Sequence, residues 1–166
     1  MLKLKIFEQT KTGYCGPAAL KMAFWFYGLK ASEKELAKRA KTTQKMGTGP
    51  ANMIRAVKSF DWHGFWKEGG KVEDLKYFIK QGKPVVVDWF SVDEGHYSVA
   101  VGLDKKFVYL ADPEFGKTKR LPTRCFKNVW FDFEGPYTKH LKKCHFGWLL
   151  VPTPKRIRYK IRGNYF

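Results

Sequence analysis

Residues 9–28 read QTKTGYCGPAALKMAFWFYG. From Gly16 onward the stretch carries the marks of a helix: Ala19, Met22, Ala23 and Phe26 recur at three- and four-residue spacing. Pro17 lies just inside the start, where its missing N–H leaves no bond unmade, and Gly28 stands where a C-terminal cap would. A single cysteine, Cys15, sits at the entry to that helix. A sulfur at a helix N-terminus faces free N–H groups and the positive end of the dipole, one recognised route to a reactive thiolate. The competing assignment for an isolated cysteine is a small buried hydrophobe.

Beyond this stretch the pattern stays helical and then changes. Residues 32–41, SEKELAKRAK, open on Ser32 as N-cap with Glu35 completing a capping box. Further helices are expected in GPANMIRAVKSF (49–60) and VEDLKYFIKQG (72–82). After these come short β-branched and apolar runs: PVVVDWF (84–90), HYSVAVGL (96–103) and FVYLADP (107–113), with NVWFDF (128–133) and GWLLVP (147–152) as further strand candidates. Helices first and strands afterwards point to an α+β fold rather than an alternating parallel sheet. No internal repeat or linker interrupts the chain, so 1–166 is expected to be one domain. In the final PKRIRYKIRGNYF, five basic residues alternate with Ile157, Tyr159 and Ile161, which favours an edge strand over a mobile arm for this basic tail, 155–166.

Composition sets the limits. At 166 residues with 44% hydrophobic and 17% aromatic content, the chain can bury a substantial core. No apolar run reaches the roughly 18 residues of a membrane span, and the start, MLKLKIFEQ, lacks the features of a signal peptide; a cytoplasmic location is the default expectation. Cys15, Cys125 and Cys144 are an odd set at wide spacing and make a poor disulfide framework. The net charge of +17 favours anionic partners, or reflects no more than a lysine-rich solvated exterior.

A thiolate nucleophile needs a base within hydrogen-bond reach, and the base needs a group to orient it. Of the four histidines, His96 opens a strand directly after the turn-like DEG, whereas His63 sits at a loop or strand edge and His140 and His145 lie in the later basic part. If the strands at 96–103 and 107–113 form a hairpin about DKK, His96 and Asp112 lie near the same end of adjacent strands. They would be two or three residues out of register, a gap that a bulge or long side chains could absorb. Asp112 could then fix the imidazole tautomer, or it could merely open the turn DPEFG. Gln9 supplies a side-chain amide of the kind that holds an oxyanion.

Together these pieces resemble the bacteriocin-processing, double-glycine peptidases, in particular their stand-alone branch, within the papain-like cysteine peptidases. The resemblance rests on QTKTGYCGPAALKMAFWFYG and on GHYSVAVGLDKKFVYLADPEFG (95–116), with the GTG at 47–49 and the GKPVVVDWF strand between them, and covers residues 5–118. It implies a papain-like α+β fold with a helical half carrying the cysteine. It also implies a Cys15–His96–Asp112 triad, with Gln9 and the Cys15 N–H as oxyanion hole, acting on a peptide or protein substrate through a thioester acyl-enzyme. Processing of a leader peptide, with a separate transporter as partner, belongs to the same implication. Tyr14 departs from the acidic residue that transporter-linked members carry before the cysteine, and those members are fused to membrane and ATPase domains.

Neither a cofactor nor a metal is called for. Cys125, His140, Cys144 and His145 match no compact zinc spacing, and GKT at 116–118 lacks the first glycine and the strand–loop–helix setting of a phosphate loop. Gly69–Gly70 reads as a loop. The rival readings are a non-catalytic basic protein that binds nucleic acid or an acidic partner, without any recognised nucleic-acid motif, and an acyl transferase using the same triad. Cleft walls are expected from loops around Trp62–Trp66 and after Trp89.

Overall fold

The computed structural model describes residues 1–92, 94–133 and 144–166. Helix α1 (Cys15–Phe26) is buried on nearly every side, because alanine, leucine, methionine and phenylalanine occupy all its faces. It packs against α2 (Glu33–Arg39) and α3 (Pro50–Lys58). Ser32 caps α2 as its sequence predicts, its Oγ accepting the Glu35 N–H at 3.1 Å. The strands are β1 (His63–Lys67), β2 (Val85–Ser91), β3 (Glu94–Leu103), β4 (Phe107–Asp112), β5 (Lys117–Pro122), β6 (Phe131–Phe133), β7 (Cys144–Phe146), β8 (Leu149–Thr153) and β9 (Asn164–Tyr165), with helices α4 (Val72–Lys80) before β2 and α5 (Thr123–Val129) after β5.

Seven strands form one antiparallel sheet in the order β5-β4-β3-β2-β8-β1-β9, and β6 and β7 make a separate two-stranded ribbon. Helices cover both faces. Val86, Tyr97, Val99, Val101 and Leu150 pack with α1 to α3, while Val85, Val87, Ala100, Val108 and Leu110 pack with α4 and α5. Burial on both faces explains why PVVVDWF reads as an unbroken apolar run rather than an alternating one.

Several expectations change. NVWFDF is not one strand: Asn128 and Val129 close α5, and only Phe131–Phe133 are extended. Strand β5 escapes the apolar pattern because KTKRLP is a polar edge strand, and α5 has a single buried residue, Phe126, too little for a helical period. The basic tail forms an extended strap rather than a full edge strand. Tyr159 and Ile161 pack into the core beside Phe65 and Phe78, and pairing with β1 is confined to the last residues, where Asn164 and Tyr165 lie opposite Trp66 and Phe65 and Phe166 exchanges backbone hydrogen bonds with Gly64. The period-two pattern therefore reports side-chain burial, not sheet pairing.

One irregularity governs the site. Near the hairpin turn Leu103 pairs with Val108 and Gly102 with Tyr109, whereas further along Ala100 pairs with Leu110 and Val99 with Ala111, leaving Val101 as an unpaired bulge. Continued without the bulge, the ladder would set Asp112 opposite Val99, three residues from His96 and on the other face. With it, Asp112 comes opposite Ser98, two residues from His96 and on the same face.

Candidate active site

Cys15 is the first residue of α1, two positions earlier than a start at Pro17 would put it, and it is buried. The loops around it are held by close backbone approach. Gly13 has φ +76°, and a Cβ there would stand 2.7 Å from the Gln44 carbonyl oxygen, so neither the torsion nor the space admits a side chain. Gly16 lets Thr48 and Met53 close against the helix start. This is the packing role of GTG at 47–49.

The His96 Nε2–H donates to Asp112 Oδ1 at 2.8 Å, with both residues buried. Asp112 Oδ1 also accepts the Glu114 N–H at 2.9 Å, so the same carboxylate both opens the DPEFG turn and holds the imidazole. Trp89, the cross-strand partner of His96, sets its ring edge-on at 5.7 Å and donates its own Nε1–H to Ser98 Oγ at 3.0 Å. With Nε2 committed to Asp112, Nδ1 is the nitrogen left for Cys15, which lines the same cavity as the imidazole. Burial opposes charge on the ring, yet the hydrogen bonds and charges of Asp112 and Cys15 outweigh it and push the His96 pKa up to about 10. Burial likewise pushes the Asp112 carboxyl upward, but His96, the Glu114 N–H and Lys119 more than reverse this and hold it below its usual range.

Gln9 lies on the same cavity, of about 570 Å³, with Cys15 and His96. Its backbone N–H donates to the Pro113 carbonyl at 2.7 Å, which ties the amino-terminal segment to the residue after Asp112. The side-chain Nε2 donates to Lys11 O at 3.1 Å, which fixes the nitrogen end of the amide and leaves its second N–H uncommitted. Thr10 is anchored by Glu33, whose Oε1 accepts from its N–H at 2.9 Å and from its Oγ at 2.7 Å. All four sequence-designated residues, Gln9, Cys15, His96 and Asp112, thus meet in one region.

Other expectations fail here. The cavity wall does include Phe90, Ser91 and Val92 after Trp89, but Trp62–Trp66 lie elsewhere, packed in β1 and its approach. Of the cysteines and histidines without zinc spacing, Cys125 is exposed on α5, and His145 is turned to Asp88, with 2.7 Å between Nε2 and Oδ2. His140 lies outside the described residues. Asp88, Asp132 and His145 beside the cavity had no local signature, since they come from three separate strands.

The sequence matches the Peptidase_C39 like family over residues 1–137, a span that holds all four residues. The chain belongs to this family. A protein of Methanothermobacter thermautotrophicus, itself uncharacterised, is 34% identical over 118 residues, 68% of this chain and 73% of that one. Among solved structures, the peptidase domain of Streptococcus ComA, a bifunctional ABC transporter involved in quorum sensing, superposes with a TM-score of 0.72 at 22% identity, covering 91% of this chain and 98% of that one. A double-glycine motif protease from an AMS/PCAT transporter, solved with its leader peptide, gives a TM-score of 0.64 at 18% identity, covering 92% and 93%. The fold is the papain-like α+β fold of these peptidase domains, and the chain's class is that of a cysteine peptidase. The non-catalytic binding protein gives way to that assignment. Among the described residues, no helix is long and apolar enough to cross a membrane.

Proposed function

We propose that the chain hydrolyses peptide bonds by thiol acyl transfer at Cys15, with His96 as acid and base and Asp112 as its orienting carboxylate. The observation that carries this reading is the 2.8 Å His96–Asp112 hydrogen bond, with the remaining imidazole nitrogen free for a cysteine at a helix N-terminus. Cys15 thiolate attacks the scissile carbonyl, and the developing oxyanion takes hydrogen bonds from the Cys15 N–H and the Gln9 amide. The His96 imidazolium gives its proton to the leaving amine, and the carbonyl stays on sulfur as a thioester. Neutral His96 then takes a proton from water as the water attacks the thioester, and the acid product leaves with the thiolate restored.

The substrate class is a peptide, and within it we infer a leader-type segment, on the analogy of the double-glycine motif protease that was solved with its leader peptide. The test is alkylation at pH 6 followed by peptide-library cleavage. Iodoacetamide should modify Cys15 far faster than Cys125 or Cys144, and Cys15→Ala should abolish turnover. Equal labelling of the three thiols, or peptide cleavage by Cys15→Ala at the wild-type rate, removes the assignment.

A further inference from the structure

A second cluster of ligating side chains borders the cavity without entering the mechanism above. Asp88 on β2, Asp132 on β6 and His145 on β7 bring one carboxylate oxygen each and an imidazole nitrogen within 4.8 Å of one another. Asp88 is fully buried, His145 is 6% exposed, and Asp132 and His145 are part of the cavity wall. Nothing nearby neutralises two carboxylates except that one imidazole: among the described residues, neither Asp88 nor Asp132 meets a lysine or arginine in an ion pair.

Polar groups around the cluster are left without partners. Among the described residues, Asp88 Oδ1 meets no donor in hydrogen-bond geometry, and the buried Ser91 hydroxyl on the cavity wall has no partner; the Tyr97 hydroxyl, 4% exposed, stands beside the Asp88 carboxylate. Buried polar groups are ordinarily satisfied, so a buried carboxylate oxygen without a donor at this cluster points to a ligand there. Gly95 gives a further sign: a Cβ there would collide with the Asp132 carboxylate, which rests directly on the β3 backbone.

We propose that Asp88, Asp132 and His145 form a binding site for a divalent first-row transition metal, zinc by preference, which fastens the β6–β7 ribbon to β2 beside the cleft. One imidazole with two carboxylates suits zinc and its neighbours, whereas magnesium and calcium take oxygen ligands. With metal–ligand bonds of about 2.0–2.1 Å, tetrahedral ligand atoms stand roughly 3.3 Å apart. His145 Nε2 and Asp88 Oδ2, now 2.7 Å apart, would therefore separate by about half an ångström to admit the ion. Binding displaces the proton that His145 shares with Asp88 and any proton on Asp132, and the ion takes over their role of offsetting the buried charge. Because Asp132, Phe133 and His145 all line the cavity, occupation fixes one wall of the cleft. The inference does not depend on the roles given to Cys15 and His96.

The test uses metal-free Cys15→Ala protein, so that the thiol beside His96 cannot take the ion, titrated with Co²⁺ and then Zn²⁺. One equivalent of Co²⁺ should bind with visible d–d bands, no thiolate charge-transfer band and release of protons, and Zn²⁺ should displace it. Asp132→Asn and His145→Gln should each weaken binding by about 10²-fold, since removal of even outer-shell partners costs about 10–100-fold. X-ray absorption of the zinc-loaded protein, which needs no further variant, should show only nitrogen and oxygen neighbours with one imidazole. Absence of saturable binding, sulfur in the first shell, or undiminished binding by both folded variants would each overturn the proposal.

Discussion

Asp112→Asn removes the negative charge beside His96 but keeps the side chain's size and one oxygen able to accept the Nε2–H. The wild-type imidazole, held at a pKa of about 10, owes that value to Asp112 and Cys15 acting against burial. A hydrogen bond to a charged group contributes about 1.5–3 kcal/mol, and one pKa unit corresponds to about 1.4 kcal/mol. Loss of the carboxylate should therefore lower the His96 pKa by roughly one to two units, with Cys15 still keeping it above an ordinary imidazole. Nitrogen-15 NMR titration of the ring reads this directly. The same shift appears in stability. A histidine whose folded pKa lies above its unfolded value near 6.5 stabilises fully below that pH, and the contribution fades as pH rises through about 10. Urea unfolding of the wild type should thus weaken between those limits, while the variant loses a smaller contribution and loses it at lower pH. A His96 pKa unchanged to within about 0.3 units would refute the electrostatic coupling, since even the lower bound of the hydrogen-bond energy predicts about one unit.

Three further outcomes follow from the same geometry. Gln9→Ala should lower kcat by about 10²–10³, the usual cost of one oxyanion donor, with Cys15 alkylation unchanged. Gly13→Ala combines a φ of +76° with a Cβ 2.7 Å from the Gln44 oxygen, and should cost about 1–3 kcal/mol in urea unfolding while slowing Cys15 alkylation. Glu33→Ala removes the one carboxylate oxygen that accepts both the Thr10 N–H and its Oγ–H; it should lower stability by about 1.5–3 kcal/mol and also reduce kcat/KM, because Thr10 adjoins Gln9. Each stability change is checked by equilibrium unfolding and each rate by peptide cleavage.

Helix α1, its capping glycine and the apolar strands β2, β3 and β4 were legible because their signals are local. A helix repeats at three and four residues and a buried strand keeps its β-branched run, so neighbours in sequence carry the information. Cys15, His96 and Asp112 stood out as candidates by residue type and by position near the end of an element, whereas Gln9, in irregular chain, was singled out only through the family resemblance. The polar edge strand β5, the seven-residue α5 and the ribbon β6–β7 were not, because too few of their residues are buried to leave a pattern.

What this amino-acid sequence determined by itself is the principal buried helices and strands, the α+β class and the candidates for the chemistry. Which face His96 and Asp112 share was settled by one unpaired residue at Val101, and that register depends on how the whole hairpin closes. The meeting of Asp88 with His145, 57 residues apart, arises because β8 inserts between β2 and β1 and the β6–β7 ribbon folds back over β2. Parity across a ladder and contact across separate strands are properties of chain closure. No window of neighbouring residues contains them, so only the tertiary structure could decide them.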